Sequence, residues 1–193
     1  MKKFNQISLA ILVAVLSTAC SKSGDTPVAK QSASVSVGKE EKIYNEVKNL
    51  NFFNSGSLMA ATQVYVLFDP QCPHCGALWK EVKGIKGVNF KWIPVAFMKS
   101  QSLEQGAMFL SSSDPTQDMN SHEELMDKKT GGIIASNIKP QNRDKVKINT
   151  EYWKQNFESV PTLVFQHSQT KKYTVLAGGL PKEQLIKAFG LNP

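Results

Sequence analysis

Cys72 and Cys75, with only Pro73 and His74 between them, are the residues of this chain whose types and spacing best suit covalent chemistry. Thiol–disulfide exchange needs a thiolate that can attack and a second thiol that can release the resulting mixed disulfide. Two intervening residues let a single helical turn bring the sulfurs within bonding distance. The preceding run Val64–Phe68 is β-branched and aromatic and ends at Asp69-Pro70, which reads as a buried strand. Gly76 to Val82 reads as a helix, so the pair falls where a strand hands over to a helix N-terminus. There Cys72 meets unpaired N–H groups and the positive end of the helix dipole, which favour its thiolate. Cys75, one turn further in, is the natural resolving thiol. Pro73 suits the first turn because it lacks an N–H that would go unpaired there. His74 either adds a donor and a positive charge beside the Cys72 sulfur or merely fills the helix start.

Two other uses of the pair are weaker. A metal site needs more ligands, and His122 and His167 lie in separate segments without ligand spacing. A structural disulfide closing so short a loop would constrain the unfolded chain little. The expectation is therefore no metal and no cofactor beyond a redox-active Cys72–Cys75 disulfide. Asp69 is equally suited to forming the turn before Pro70 and to moving a proton.

The elements around the pair follow from pattern and punctuation. Lys39 to Phe53 carries Ile43, Val47 and Leu50 at helical spacing, and Asn54-Ser55-Gly56-Ser57 breaks it. Val88 to Phe97 reads as a second strand and Ser102 to about Leu110 as a helix. Asp114-Pro115 interrupts, and Ser121 with Glu124 looks like a capping box for a helix to Asp127. Gly131 to Val146 is poorly patterned, and Thr150 to Phe157 predicts a helix. Thr162–Phe165 and Lys172–Ala177 read as strands joined by a hairpin turn, and Pro181 starts a last helix in its first turn. The order strand, helix, strand, helical stretch, strand, strand, helix predicts an α/β sandwich holding a mixed sheet, with Pro161 entering the strand opposite the cysteines.

The N-terminus predicts export. Met1-Lys2-Lys3 and the apolar stretch Ile7–Leu16 fit a signal peptide over residues 1–19, the apolar run being shorter than the ~20 residues a spanning helix needs. Leu16-Ser17-Thr18-Ala19-Cys20 resembles a bacterial lipoprotein cleavage box, with Cys20 as the lipidated first residue; Ser17-x-Ala19 also passes as an ordinary cleavage site. Ordinary cleavage would leave a free thiol beside an exchange site, which favours lipidation. Residues 20–38 then read as a lipid-anchored flexible tether, spanning about 20–25 Å as a coil. Ser21 after the cysteine points by resemblance to the outer membrane of a Gram-negative cell. The chain carries 41% hydrophobic and 20% charged residues and a net charge of +7, with Arg143 its only arginine. Its lysines are scattered without interleaved aromatics, which argues against nucleic acid as a partner.

CPHC after an apolar strand, with Val160-Pro161 late in the chain, resembles the thioredoxin superfamily. VYVLFDPQCPHC, IPVAFMK, SVPTLVF and AGGLPKEQLIKAFG together resemble the bacterial periplasmic thiol:disulfide interchange proteins of the DsbC/DsbG type, over about residues 41–190. The resemblance implies a thioredoxin-like domain over 39–193, with a mixed central sheet and a helical insertion at about 100–157. It also implies a cis Pro161 packed against the dithiol, a Val160 backbone that pairs with substrate, and Cys72, Cys75, Pro73 and His74 as the catalytic motif. Its partners would be exported proteins containing cysteines and a membrane redox protein that resets the dithiol. Ser21–Gly38 is too short for the dimerisation domain of those isomerases, so a monomer is expected. Val160 before the proline and the CPHC motif are closer to DsbA-type oxidases, giving an oxidase-like site on an isomerase-type body, with the isomerase or reductase direction slightly favoured. The buried acid that thioredoxins keep six residues before the first cysteine is here Val66.

Overall fold

The computed structural model describes residues 38–192; the expected signal peptide, tether and Cys20 lie outside them. Five strands form one mixed sheet: β1 (Phe53–Gly56), β2 (Thr62–Phe68), β3 (Val88–Pro94), β4 (Thr162–Gln166) and β5 (Tyr173–Ala177), in the order β1-β3-β2-β4-β5. β2 and β3 are parallel, connected through the helix α2 (Pro73–Val82), and the other neighbours are antiparallel. β2 is therefore the central strand, and it delivers the dithiol.

The unbroken apolar run of β2 follows from burial on both faces. Val64, Val66 and Phe68 pack with Leu78, Trp79 and Val82 of α2 and with Leu185 and Phe189 of α6 (Lys182–Phe189). Tyr65 and Leu67 point the other way, towards Ile43 and Val47 of α1 (Lys39–Val47) and Trp153. In α2 the buried residues Cys75, Leu78, Trp79 and Val82 recur at helical spacing, so one stripe sets the angle at which the helix start meets the sheet. Edge contacts of Trp92 with Trp79 (4.9 Å between centroids) and Phe68 (5.5 Å) fill the space between α2 and the sheet.

Three helices stand between β3 and β4: α3 (Ser102–Phe109), α4 (Pro115–Asp127) and α5 (Pro140–Asn156). Two of them begin earlier than the sequence suggests. α4 is capped by Asp114, whose carboxylate accepts from the Gln117 N–H at 3.0 Å, with Pro115 inside the first turn; Ser121 and Glu124 are mid-helix. α5 starts ten residues before Thr150 because its inward stripe mixes polar Asn142, Asn149 and Thr150 with apolar Val146 and Trp153. Asn142 donates to Ser111 Oγ, Asn149 donates to the carbonyls of Asn51 and Pro94, and Thr150 accepts from the Ala96 N–H. Hydrophobic periodicity does not register such a stripe.

The segment expected to break the first helix is the edge strand β1. Phe53 is its single deeply buried side chain, among Phe68, Trp79 and Phe109, and Ser55 Oγ accepts from Trp92 Nε1 at 2.9 Å. Gly56 closes it at φ +82°, where a Cβ would lie 2.6 Å from the Val88 carbonyl oxygen. Pro181 is the N-cap of α6, one position before the expected first turn. Among the described residues no helix is long and apolar enough to cross a membrane.

Candidate active site

β2 ends at Phe68, and the loop Asp69–Gln71 turns the chain into α2. Asp69 holds that loop. Its fully buried carboxylate accepts four hydrogen bonds: Gln71 N–H (2.8 Å) and Ser102 Oγ (2.6 Å) on Oδ1, and Phe97 N–H (2.8 Å) and Met98 N–H (3.0 Å) on Oδ2. It thus ties the β2–α2 loop to the β3–α3 loop. Of the two uses open to Asp69 from sequence, the turn is the one its bonds describe, since all its close partners are donors from these two loops. His122 of α4 supports the same corner. Its ring lies 2.7 Å from the Pro70 carbonyl through Nε2, and Nδ1 accepts from the Ile133 N–H at 3.2 Å, which assigns the proton to Nε2. Burial lowers the His122 pKa and keeps the ring neutral.

Cys72 is the N-cap of α2, and Pro73 opens the helix. The Cys75 and Gly76 N–H groups both donate to the Cys72 carbonyl, at 3.0 and 3.2 Å. Both thiols are free and buried, whereas Pro73 and His74 are exposed. The Cys72 pKa is lowered from 9.0 to about 6, chiefly because the Cys75 thiol hydrogen-bonds to its sulfur. Burial opposes this, while the backbone N–H groups of Cys75 and His74 and the charge on His74 add to it. Cys75 moves strongly upwards, first because it is buried and then because it lends its proton to Cys72. The two thiols are thereby set apart into a thiolate-forming nucleophile and a protonated reserve.

The opposite wall is the segment leading into β4. The Val160–Pro161 peptide bond is cis, and the Val160 carbonyl oxygen lies 3.7 Å from Cys72 Sγ. The Pro161 carbonyl accepts from the Gly178 N–H at 2.8 Å, and the Ser159 carbonyl takes donors from Trp153 Nε1 (3.1 Å) and Thr162 Oγ1 (2.7 Å). Ser159 and Pro161 are thus anchored, while among the described residues the Val160 N–H has no backbone partner. Phe97 stacks on Trp153 at 4.1 Å, and with Met98 it stays partly exposed beside the Asp69 loop.

The structure therefore brings Cys72, Cys75, Pro73, His74, Val160 and Pro161 together at one end of β2. Among the described residues, no group of three His, Cys, Asp or Glu is placed to hold a metal ion. Glu123 of α4 escaped the sequence reading. It is buried, with its carboxyl against the Cα of Gly76, and no motif or spacing marks it. Phe97 and Trp153 were also missed, because their contact joins positions far apart in the chain.

A profile of the thioredoxin-like domain family matches residues 59–191. The chain is similar to the thiol:disulfide interchange protein DsbG of Pseudomonas aeruginosa, at 24% identity over 87 residues, which are 44% of this chain and 34% of that protein. It therefore matches about a third of the length of that relative. Among solved structures, it resembles a disulfide interchange protein from Neisseria gonorrhoeae (TM-score 0.53, 20% identity, 74% of this chain and 97% of that one). It also resembles the catalytic domain of ScsC from Proteus mirabilis (TM-score 0.57, 17% identity, 78% of this chain and 94% of that one). With a profile match over more than half its length and the dithiol at the start of α2, this chain belongs to the thioredoxin-like domain family.

Proposed function

We propose that this chain is an exported thiol:disulfide oxidoreductase acting on cysteine-containing proteins of the periplasm. The observation that carries the proposal is the division of labour at the dithiol: an acidified Cys72 at the helix N-cap over a buried, protonated Cys75. The Cys72 thiolate attacks a substrate disulfide, forming a mixed disulfide and releasing one substrate sulfur as a thiolate. That thiolate attacks a second substrate disulfide, and the thiolate released there attacks the substrate sulfur bound to Cys72, giving isomerisation and free Cys72. Alternatively Cys75 gives up its proton and attacks Cys72 Sγ, leaving the Cys72–Cys75 disulfide and a reduced substrate; oxidation is the reverse path. The free Val160 N–H offers an extended substrate backbone a strand-like partner, and Phe97 and Met98 offer an apolar rim to unfolded chain.

A Cys72 pKa of about 6 lies between the ~7 of thioredoxin and the ~3.5 of DsbA. Thiolate stabilisation favours the reduced form, so the potential should fall between about −270 and −120 mV. Isomerase or reductase work is favoured over strong oxidation because the chain is similar to DsbG and the Cys72 pKa lies nearer that of thioredoxin than that of DsbA. Cys20 would anchor the chain to the membrane, a membrane redox protein would reset the dithiol, and the mature chain would act as a monomer. Equilibration with glutathione buffers, read by thiol counting, should give one two-electron transition inside that range. A potential near about −120 mV would reject the assigned direction, and no transition would reject the exchange reading.

A further inference from the structure

Glu123 is a buried acid that no step above uses. It is 6% exposed, and among the described residues it takes part in no hydrogen bond or ion pair. Its carboxyl lies against α2 one turn beyond Cys72: a Cβ on Gly76 would overlap Glu123 Oε2 and come within 2.8 Å of Cδ. Glycine at 76 is what admits the carboxyl here. The same carboxyl borders a cavity of about 290 Å³ whose wall includes Pro73, Gly76 and Lys80. Its wall is mostly apolar, but Lys80, Glu81 and Asp127 give it polar groups beside Glu123, and a cavity of that size has room for water, and so for proton movement between solvent and the carboxyl.

The charged groups around Glu123 leave it without a counter-ion. From α2, Lys80 and Lys83 are the cations, but the Lys80 ammonium is 2.6 Å from Asp127 Oδ1 and already paired with it. Glu81 of α2 also lines the cavity, Asp127 lies one turn on along α4, and the Cys72 thiolate sits at the start of α2. Burial is the main cause that raises the Glu123 pKa to about 7; Asp127 and Cys72 add to it, and the two lysines oppose it.

From this geometry we infer that Glu123 is a positioning residue for the dithiol, storing one of the protons that accompany its reduction. This rests on the exchange reading above. When a substrate dithiol reduces the Cys72–Cys75 disulfide, it gives up two electrons and two protons as its own disulfide forms. One proton ends on Cys75 Sγ; of the second, part is taken up by the Glu123 carboxylate and the rest is released to solvent, while Cys72 remains a thiolate. Oxidation of the dithiol removes the thiolate charge, and Glu123 returns its proton. The negative charge beside α2 thus moves between Glu123 and Cys72 in place of accumulating on both.

The test follows the Glu123 carboxyl carbon by NMR against pH, in protein held reduced and in protein held oxidised. The midpoint should lie near 7 when reduced and at least about half a pH unit lower when oxidised. Equal midpoints in the two states would overturn the proposal, as would titration in the ordinary carboxylate range in both. Glu123→Gln should leave the Cys72 titration midpoint near 6, read by thiolate absorbance, because Glu123 with its higher pKa is still protonated where Cys72 ionises. It should cut proton uptake near neutral pH from more than one to about one per disulfide reduced. A purely structural role would change the melting temperature and leave proton uptake at the wild-type value, which would equally overturn the proposal. Redox-linked titration of Glu123 in a chain that fails to equilibrate with glutathione would count against the exchange reading alone; equal midpoints in a chain that equilibrates would count against this one alone.

Discussion

Cys72→Ser should lower exchange with protein disulfides by at least about a thousandfold, because a serine hydroxyl cannot supply the thiolate nucleophile. Cys75→Ser should behave differently. Cys72 then still attacks, but the group that resolves the mixed disulfide is gone, so substrates should accumulate covalently bound through Cys72. The asymmetry follows from geometry: Cys72 caps the helix start beside the Val160 carbonyl, while Cys75 is buried one turn in. Insulin reduction and non-reducing electrophoresis of both variants check it. Equal trapping by the two variants would mean that either sulfur can attack, contrary to the separation of their pKa values.

The largest expected effect on stability lies at Asp69. Replacing it by alanine leaves three backbone N–H groups and the Ser102 hydroxyl without their acceptor in a site closed to solvent. Each abandoned buried donor costs about 1–3 kcal/mol, so even with partial relaxation Asp69→Ala should lose roughly 3–5 kcal/mol. That is a large share of the ~5–15 kcal/mol that holds a domain of this kind together. Urea unfolding should show the midpoint falling with little change in slope. A loss below about 1 kcal/mol would mean that the two loops hold their places without the carboxylate.

The parts of the molecule that were readable in advance are those where one local signal has one physical meaning. Val64–Phe68 is apolar at every position because both faces of β2 are covered, and CPHC next to it marks the helix start. The unread parts depend on partners distant in sequence. β1 is four residues long with a single deeply buried side chain, so it has no period to detect and exists because Val88–Trp92 offers it an edge. The inward face of α5 mixes Asn142, Asn149 and Thr150 with Val146 and Trp153, and hydropathy takes its polar members for solvent. Asp69 reads equally well as a turn residue or a proton carrier until the N–H groups of Phe97 and Met98 arrive from the neighbouring loop. Glu123 is one of several acids on α4, and only the packing of that helix against Gly76 distinguishes it.

The account turns on Cys72 being the acidified, reactive thiol of the pair. The direct test is the rate of alkylation of the reduced protein against pH, with the modified cysteine identified by mass spectrometry. The rate should rise through a midpoint near pH 6, since reaction follows the thiolate and the Cys72 pKa lies at about 6, with the label on Cys72 and Cys75 protected. A midpoint near that of an ordinary thiol, about 8.5, or a label found first on Cys75, would contradict it.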